Sequence, residues 1–128
     1  TLHTSDAASA VARLLDLGVE PFLVSSSLSA VLAQRLVRTV HGACAGTGCP
    51  ECVGSGFKGR TGVFELLVLD GAIRKLVGSH ASAIEIKAAA RRSGMITLLE
   101  AGQAVVAAGQ TSQVELGRVI DSVDEVVA

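Results

Sequence analysis

The sequence predicts a mainly α-helical fold with a short β component, carrying a Gly/Cys-rich metal-binding loop and a small helical subdomain. Three observations predict it. Apolar residues recur at helical spacing through most of the chain. One run, VFELLVLD, is β-branched and aromatic enough to read as a strand. Between these, HGACAGTGCPECVGSGFKGRTG gathers seven Gly and all three Cys, and Gly is costly inside a helix.

The elements follow in order. Thr1 to His3 suit the end of a strand. Ser5 or Asp6 caps a first helix, with Val11, Leu14 and Leu15 on its apolar face and Gly18 as its stop. Pro21 opens a second helix, and Val24, Leu28, Val31, Leu32 and Leu36 extend its stripe to about Val40. After the Gly/Cys segment and the strand, four short helices are expected, in DGAIRKLVGS, ASAIEIKAAARRSG, TLLEAGQAVVAAG and TSQVELGRVIDSV. Thr97 caps the third, Gly109 stops it, and Thr111 or Ser112 caps the fourth.

Composition narrows the functional classes. The chain has 128 residues, 49% of them hydrophobic, and a net charge of −1. That is enough for one ordinary domain, and it offers neither a nucleic-acid footprint nor a polybasic membrane patch. No apolar run approaches the roughly 20 residues of a membrane span, and no signal peptide is visible. Three clustered Cys argue against a disulfide framework and for a metal or a redox pair in a reducing compartment.

The Gly/Cys segment is an internal repeat. His41-Gly42-Ala43-Cys44-Ala45-Gly46-Thr47-Gly48 is followed directly by Cys49-Pro50-Glu51-Cys52-Val53-Gly54-Ser55-Gly56. Each copy reads [H/C]-x-x-C-x-G-x-G. Two ligands so spaced close on one metal if the backbone turns tightly after the first, and Gly supplies the positive φ that such turns need. His41, Cys44, Cys49 and Cys52 then form a Cys₃His zinc set, structural because four protein ligands leave no open position. Two other readings stand beside it: a free Cys pair with His41 merely ending a helix, or a redox pair, which lacks the usual βαβ context.

TLHTSDAASAVARLLDLGVEPFLVSSSLSAVLAQRLVRTV, CPEC, GFKGRTGVFELL and GMITLLEAGQAVVAAGQTS together resemble the C-terminal half of the type II secretion and type IV pilus assembly ATPases. The resemblance covers nearly the whole chain, with several motifs in the family's order. It implies the C-terminal fragment of a RecA-like α/β P-loop ATPase. Residues 1–40 would be the tail of the ATPase core, with its histidine box and two helices. Residues 41–62 would be the metal-binding loop, and 63–128 the strand plus the helical subdomain. TLHT is similar to the histidine box, which implies that His3 lies near the nucleotide γ-phosphate. AQRL is similar to a segment close to the nucleotide-binding region, which implies a nucleotide contact for Arg35.

By the same resemblance the parent protein is a cytoplasmic homohexamer, peripheral to the bacterial inner membrane. It would use ATP and magnesium and work with the inner-membrane platform and cytoplasmic-domain proteins of the machine, not with nucleic acid. The metal element matches the family's tetracysteine zinc site, with His41 standing where Cys is usual and a shorter link between the ligand pairs. No G-x-x-x-x-G-K-[ST] occurs in the 128 residues, and neither a Walker B strand nor an acidic box is present. The expectation is therefore a fragment unable to hydrolyse ATP alone. An alternative of another class is a zinc-binding interaction module, since the repeat is similar to the cysteine-rich region of J-type chaperones. Arg13, Lys58, Arg91, Arg92 and His80 read as solvent-facing or helix-terminal residues, and Ser25 to Ser27 as small packing residues.

Overall fold

The computed structural model describes Leu2 and residues 4–120. Helix α1 (Ala7–Asp16) begins where Asp6 accepts a 2.8 Å hydrogen bond from the Ser9 N–H, and Gly18, at φ +92°, follows its end. It buries Ala7, Ala8, Val11 and Leu15. Helix α2 (Pro21–Ser27) starts on Pro21 as expected but stops after two turns. Leu28 is already extended, at φ −80° and ψ 124°.

The expected continuation of this helix to Val40 is replaced by strand β1 (Ala30–Val40). The reason is local and tertiary together. Three consecutive serines weaken the helix, because their hydroxyls compete for its backbone groups. Beyond them Val31, Val37, Thr39 and Val40 are β-branched, and Val31, Ala33 and Val37 alternate onto one face. Leu32 and Leu36, which completed the helical stripe, lie on the opposite, exposed face.

Strand β2 (Phe57–Val68) pairs antiparallel with β1, from Ala30 opposite Val68 to Val40 opposite Phe57, with an irregularity between Arg38 and Val40. It starts earlier than the sequence suggested, so the loop comprises residues 41–56 and FKGRTG belongs to the ribbon. The loop is thus the tip of a long hairpin. Helices α3 (Gly71–Gly78), α4 (Ala83–Arg92), α5 (Leu98–Ala107) and α6 (Gln113–Val119) follow as expected. Asp70, Ser82, Thr97 and Ser112 each cap one of them, Ser82 through a full capping box with Glu85.

Two apolar clusters lie on the inner face of the ribbon. Leu67 and Leu69 join Val11, Leu15, Ile73, Val77 and Ile86 from helices α1, α3 and α4. Nearer the tip, Val37 and Val63 pack with Leu98, Leu116 and Ile120. Full burial of each large aliphatic side chain stabilises the fold by about 1.5–3 kcal/mol. Between the clusters sits Glu65, 1% exposed. Its two carboxylate oxygens accept from the N–H groups of Ala7 and Leu98, both at 2.9 Å. These are the first residues of α1 and α5, so one carboxylate satisfies two helix N-termini where anions are favoured.

Candidate metal centre

The hairpin tip folds as two knuckles with matching hydrogen bonds, because the two halves of its sequence obey the same rule. In the first, Gly46 N–H bonds to the His41 carbonyl and Thr47 N–H to the Cys44 carbonyl. In the second, Gly54 N–H bonds to the Cys49 carbonyl and Ser55 N–H to the Cys52 carbonyl. Gly48 N–H points at Cys44 Sγ (3.3 Å) and Gly56 N–H at Cys52 Sγ (3.4 Å). The hydroxyls of Thr47 and Ser55 donate to the Cys44 and Cys52 carbonyls.

The knuckles also lock together reciprocally. A Cβ on Gly48 would stand 2.8 Å from the Gly54 carbonyl oxygen, and one on Gly56 would stand 2.4 Å from that of Gly46. Both glycines hold positive φ, +97° and +80°. Backbone therefore meets backbone where any side chain would intervene, and this close approach makes the short link between Cys44 and Cys49 feasible.

The two turns bring His41, Cys44, Cys49 and Cys52 together, with one donor atom from each lying within 4.8 Å of all the others. His41 Nδ1 is 3.5 Å from Cys44 Sγ and 3.3 Å from Cys49 Sγ. Cys52 Sγ is 3.9 Å from Cys44 Sγ and 3.6 Å from Cys49 Sγ. A tetrahedral zinc with ordinary Zn–S and Zn–N lengths has edges of about 3.8 Å between sulfurs and about 3.6 Å between sulfur and nitrogen. The donor set, its spacing and its geometry fit that ion.

Electrostatics agree. Burial opposes ionisation of the Cys52 thiol, but the N–H groups of Gly56 and Cys49 outweigh it and bring its pKa down to about 5. Cys44 is also lowered: burial resists, while the Gly48 N–H and His41 favour the thiolate. Cys49 moves up, because burial and the adjacent Cys52 and Cys44 sulfurs outweigh the N–H of Cys52. His41 is raised by its contacts with Cys52 and Cys44. The pocket thus holds Cys44 and Cys52 toward the thiolate beside an imidazole of raised pKa, a setting that favours a thiophilic divalent cation.

Other residues singled out in the sequence lie elsewhere. Arg35 is on β1, where its Nη2 donates to the carbonyls of Thr4 (2.5 Å) and Ser5 (2.8 Å) and its Nη1 to that of Gln34. It lines a cleft of about 120 Å³ with Asp6, Glu65 and Lys87, and Lys87 Nζ is 3.4 Å from Asp6 Oδ2. His3 lies outside the described residues. Arg13 and His80 are exposed, as expected. Arg91 pairs with Glu100 at 2.7 Å.

Two residues were not foreseen. Glu51 stands beside His41, its Oε2 3.5 Å from Nε2, and pairs with Lys58. Its place between two ligands in Cys-Pro-Glu-Cys was the available signal. Glu65 was the other: an acidic residue inside the apolar run VFELLVL, flanked by exposed Phe64 and Leu66.

A family model described as type II/IV secretion system protein matches residues 1–126. The chain is 46% identical over 127 residues to type II secretion system protein HxcR of Pseudomonas aeruginosa, covering 93% of this chain and 27% of that protein. It is 43% identical over 129 residues to type IV pilus assembly ATPase PilB of Thermus thermophilus, covering 80% of this chain and 14% of that protein. Identity to type II secretion system ATPase E of Vibrio cholerae is 44% over 106 residues, 63% of this chain and 21% of that protein. The chain therefore spans about a quarter or less of the length of these relatives.

Proposed function

The chain belongs to the type II/IV secretion system protein family, and on that premise we propose that it is the rear part of an ATPase driving type II secretion or type IV pilus assembly. The supporting relatives are named for both machines, so the choice between them stays with the wider complex. The parent protein works as a cytoplasmic homohexamer at the bacterial inner membrane, against the platform and cytoplasmic-domain proteins of its machine. Hydrolysis of ATP with magnesium drives domain movements there. None of the described helices is long and apolar enough to cross a membrane.

Within that protein, residues 41–56 act as a zinc staple. One observation carries this reading: four donors from two successive turns converge within 4.8 Å. When bound, zinc cross-links a segment that has almost no apolar side chains to hold it and offsets the entropy of ordering its glycines. His3 is the residue facing the γ-phosphate. Arg35 contacts the nucleotide from β1, where its guanidinium also ties down the carbonyls of Thr4 and Ser5.

Two measurements test the reading. Metal analysis of the purified chain should give one zinc per molecule, and less than 0.1 would remove the staple. In the full-length protein His3→Ala should lower kcat for ATP hydrolysis at least tenfold, with zinc content and oligomeric state unchanged. The 128-residue chain alone should show no hydrolysis above background. A full-length protein without ATPase activity would overturn the motor reading. The repeat is also the sole support for the J-type chaperone alternative, whereas the match over residues 1–126 favours the motor.

A further inference from the structure

His41 presents its two ring nitrogens to different surroundings. Nδ1 faces the sulfurs of Cys44 and Cys49 at 3.5 Å and 3.3 Å. Nε2 faces outward to the carboxylate of Glu51, 3.5 Å away. The ring itself is held, its side chain only 8% exposed and its backbone N–H bonded to the Gly56 carbonyl. Glu51 follows Pro50 in the turn that joins the second ligand pair, so the fold of that turn aims it back at the ring. Lys58, the second residue of β2, closes an ion pair on the other oxygen of the same carboxylate.

We propose that Glu51, anchored by Lys58, is a positioning residue for His41: its carboxylate accepts a hydrogen bond from Nε2–H and so presents Nδ1 to the metal. The inference rests on the zinc-staple reading above. A neutral imidazole carries one proton, and a nitrogen that ligates a metal cannot hold it. With Nδ1 among the sulfurs, the proton belongs on Nε2, and the carboxylate beside Nε2 is its acceptor. Metal-bound histidines commonly donate their remote N–H to such a carboxylate, which fixes the tautomer and raises the basicity of the ligating nitrogen.

Charge explains why the carboxylate comes with a lysine. Three thiolates, a neutral imidazole and Zn²⁺ sum to −1. A bare carboxylate next to the ring would bring the group to −2 at the surface. The Lys58 ammonium returns it to −1, and its donated hydrogen bond prevents the half-exposed Glu51 side chain from swinging into water. The second copy of the repeat supplies this support to the first: Glu51 lies between Cys49 and Cys52, yet it serves the one nitrogen ligand of the set.

The test uses the 128-residue chain loaded with zinc, in which three histidines give a simple imidazole spectrum. Long-range ¹H–¹⁵N correlation should show His41 with Nδ1 metal-bound and Nε2 protonated, its N–H exchanging slowly with water. Glu51→Ala should weaken zinc about tenfold in competition with a chromophoric chelator, within the range measured for such outer ligand partners, and should abolish the slow exchange. Glu51→Gln keeps a carbonyl acceptor and should stay within about threefold of the parent chain. Lys58→Met should fall between the two. A merely structural part in the turn would leave the Nε2 proton and tautomer unmoved in Glu51→Ala. Ligation through Nε2, or unchanged affinity and exchange in Glu51→Ala, overturns the inference while the staple stands. A chain that takes up no zinc overturns both.

Discussion

Val53 holds φ +55° with its side chain 89% exposed, and Ala45, its counterpart in the first knuckle, holds φ +52°. For an L-residue this left-handed conformation costs roughly 1–2 kcal/mol, and a β-branched side chain suffers most. Nothing in the packing of Val53 compensates, so the conformation is imposed by the convergence of Cys49 and Cys52. Asn tolerates the region. Val53→Asn should therefore stabilise the zinc-loaded loop by about 0.5–1 kcal/mol, read as a rise in the midpoint of zinc release under denaturant. Gly56→Ala should do the reverse, because its Cβ would lie 2.4 Å from the Gly46 carbonyl oxygen. Zinc binding should fail while far-UV helicity persists. At this scale the sequence was most legible. A ligand repeat interrupted by glycines states both the donors and the turns. It did not reveal Glu51, since an acidic residue in a turn is usually only solvated, and the neighbouring imidazole is visible only after folding.

Elements were legible where their ends carry chemistry. Asp6, Thr97 and Ser112 stand at helix starts foreseen from residue type, because a cap is a local contest between side chain and backbone. Strand β1 was misread because a helical stripe and a two-residue alternation coexist in the same segment, and only its pairing with β2 decides between them. Its attachment to α6 is equally non-local. Glu115 is fully buried and accepts from the backbone N–H and guanidinium of Arg38 and from the guanidinium of Arg118. These partners, Arg118 first and then Arg38, hold its carboxyl far below the ordinary range.

The sign of the pH dependence follows. The contribution of Glu115 is complete above the unfolded value near 4.5, erodes as the pH falls below it, and is lost once the depressed native value is passed. Glu115→Gln should cost about 2–3 kcal/mol at pH 7, since it also leaves the Arg38 N–H poorly satisfied. Its urea midpoint should depend less on pH between 6 and 3 than that of the parent chain. An equal loss on acidification in both proteins would assign the acid sensitivity elsewhere.

At the scale of the whole molecule, the chain has two stabilising systems joined by one ribbon. The apolar clusters draw on all the helices and on the inner face of β1 and β2, and neither includes a residue from 41–56. Within that loop only His41, Cys52 and Gly56 are buried. On the zinc-staple reading the loop is held by metal ligation and N–H to sulfur bonds, while the helices are held by hydrophobic burial, and the two systems share little more than the end of the ribbon. There, Val40 N–H bonds to the Gln110 carbonyl and His41 N–H to that of Gly56. Free energies of opening differ across a protein when its parts share few contacts. Removing zinc should therefore melt the tip and spare the body. Hydrogen exchange after chelation should show the Gly48, Cys49 and Gly56 amides, which donate to sulfur, losing protection at least a hundredfold. The amides of Val77 and Ile86, in the helical core, should change by less than threefold. Uniform loss throughout the chain would mean that the metal holds the body as well as the tip, and that the ribbon transmits strain from one to the other.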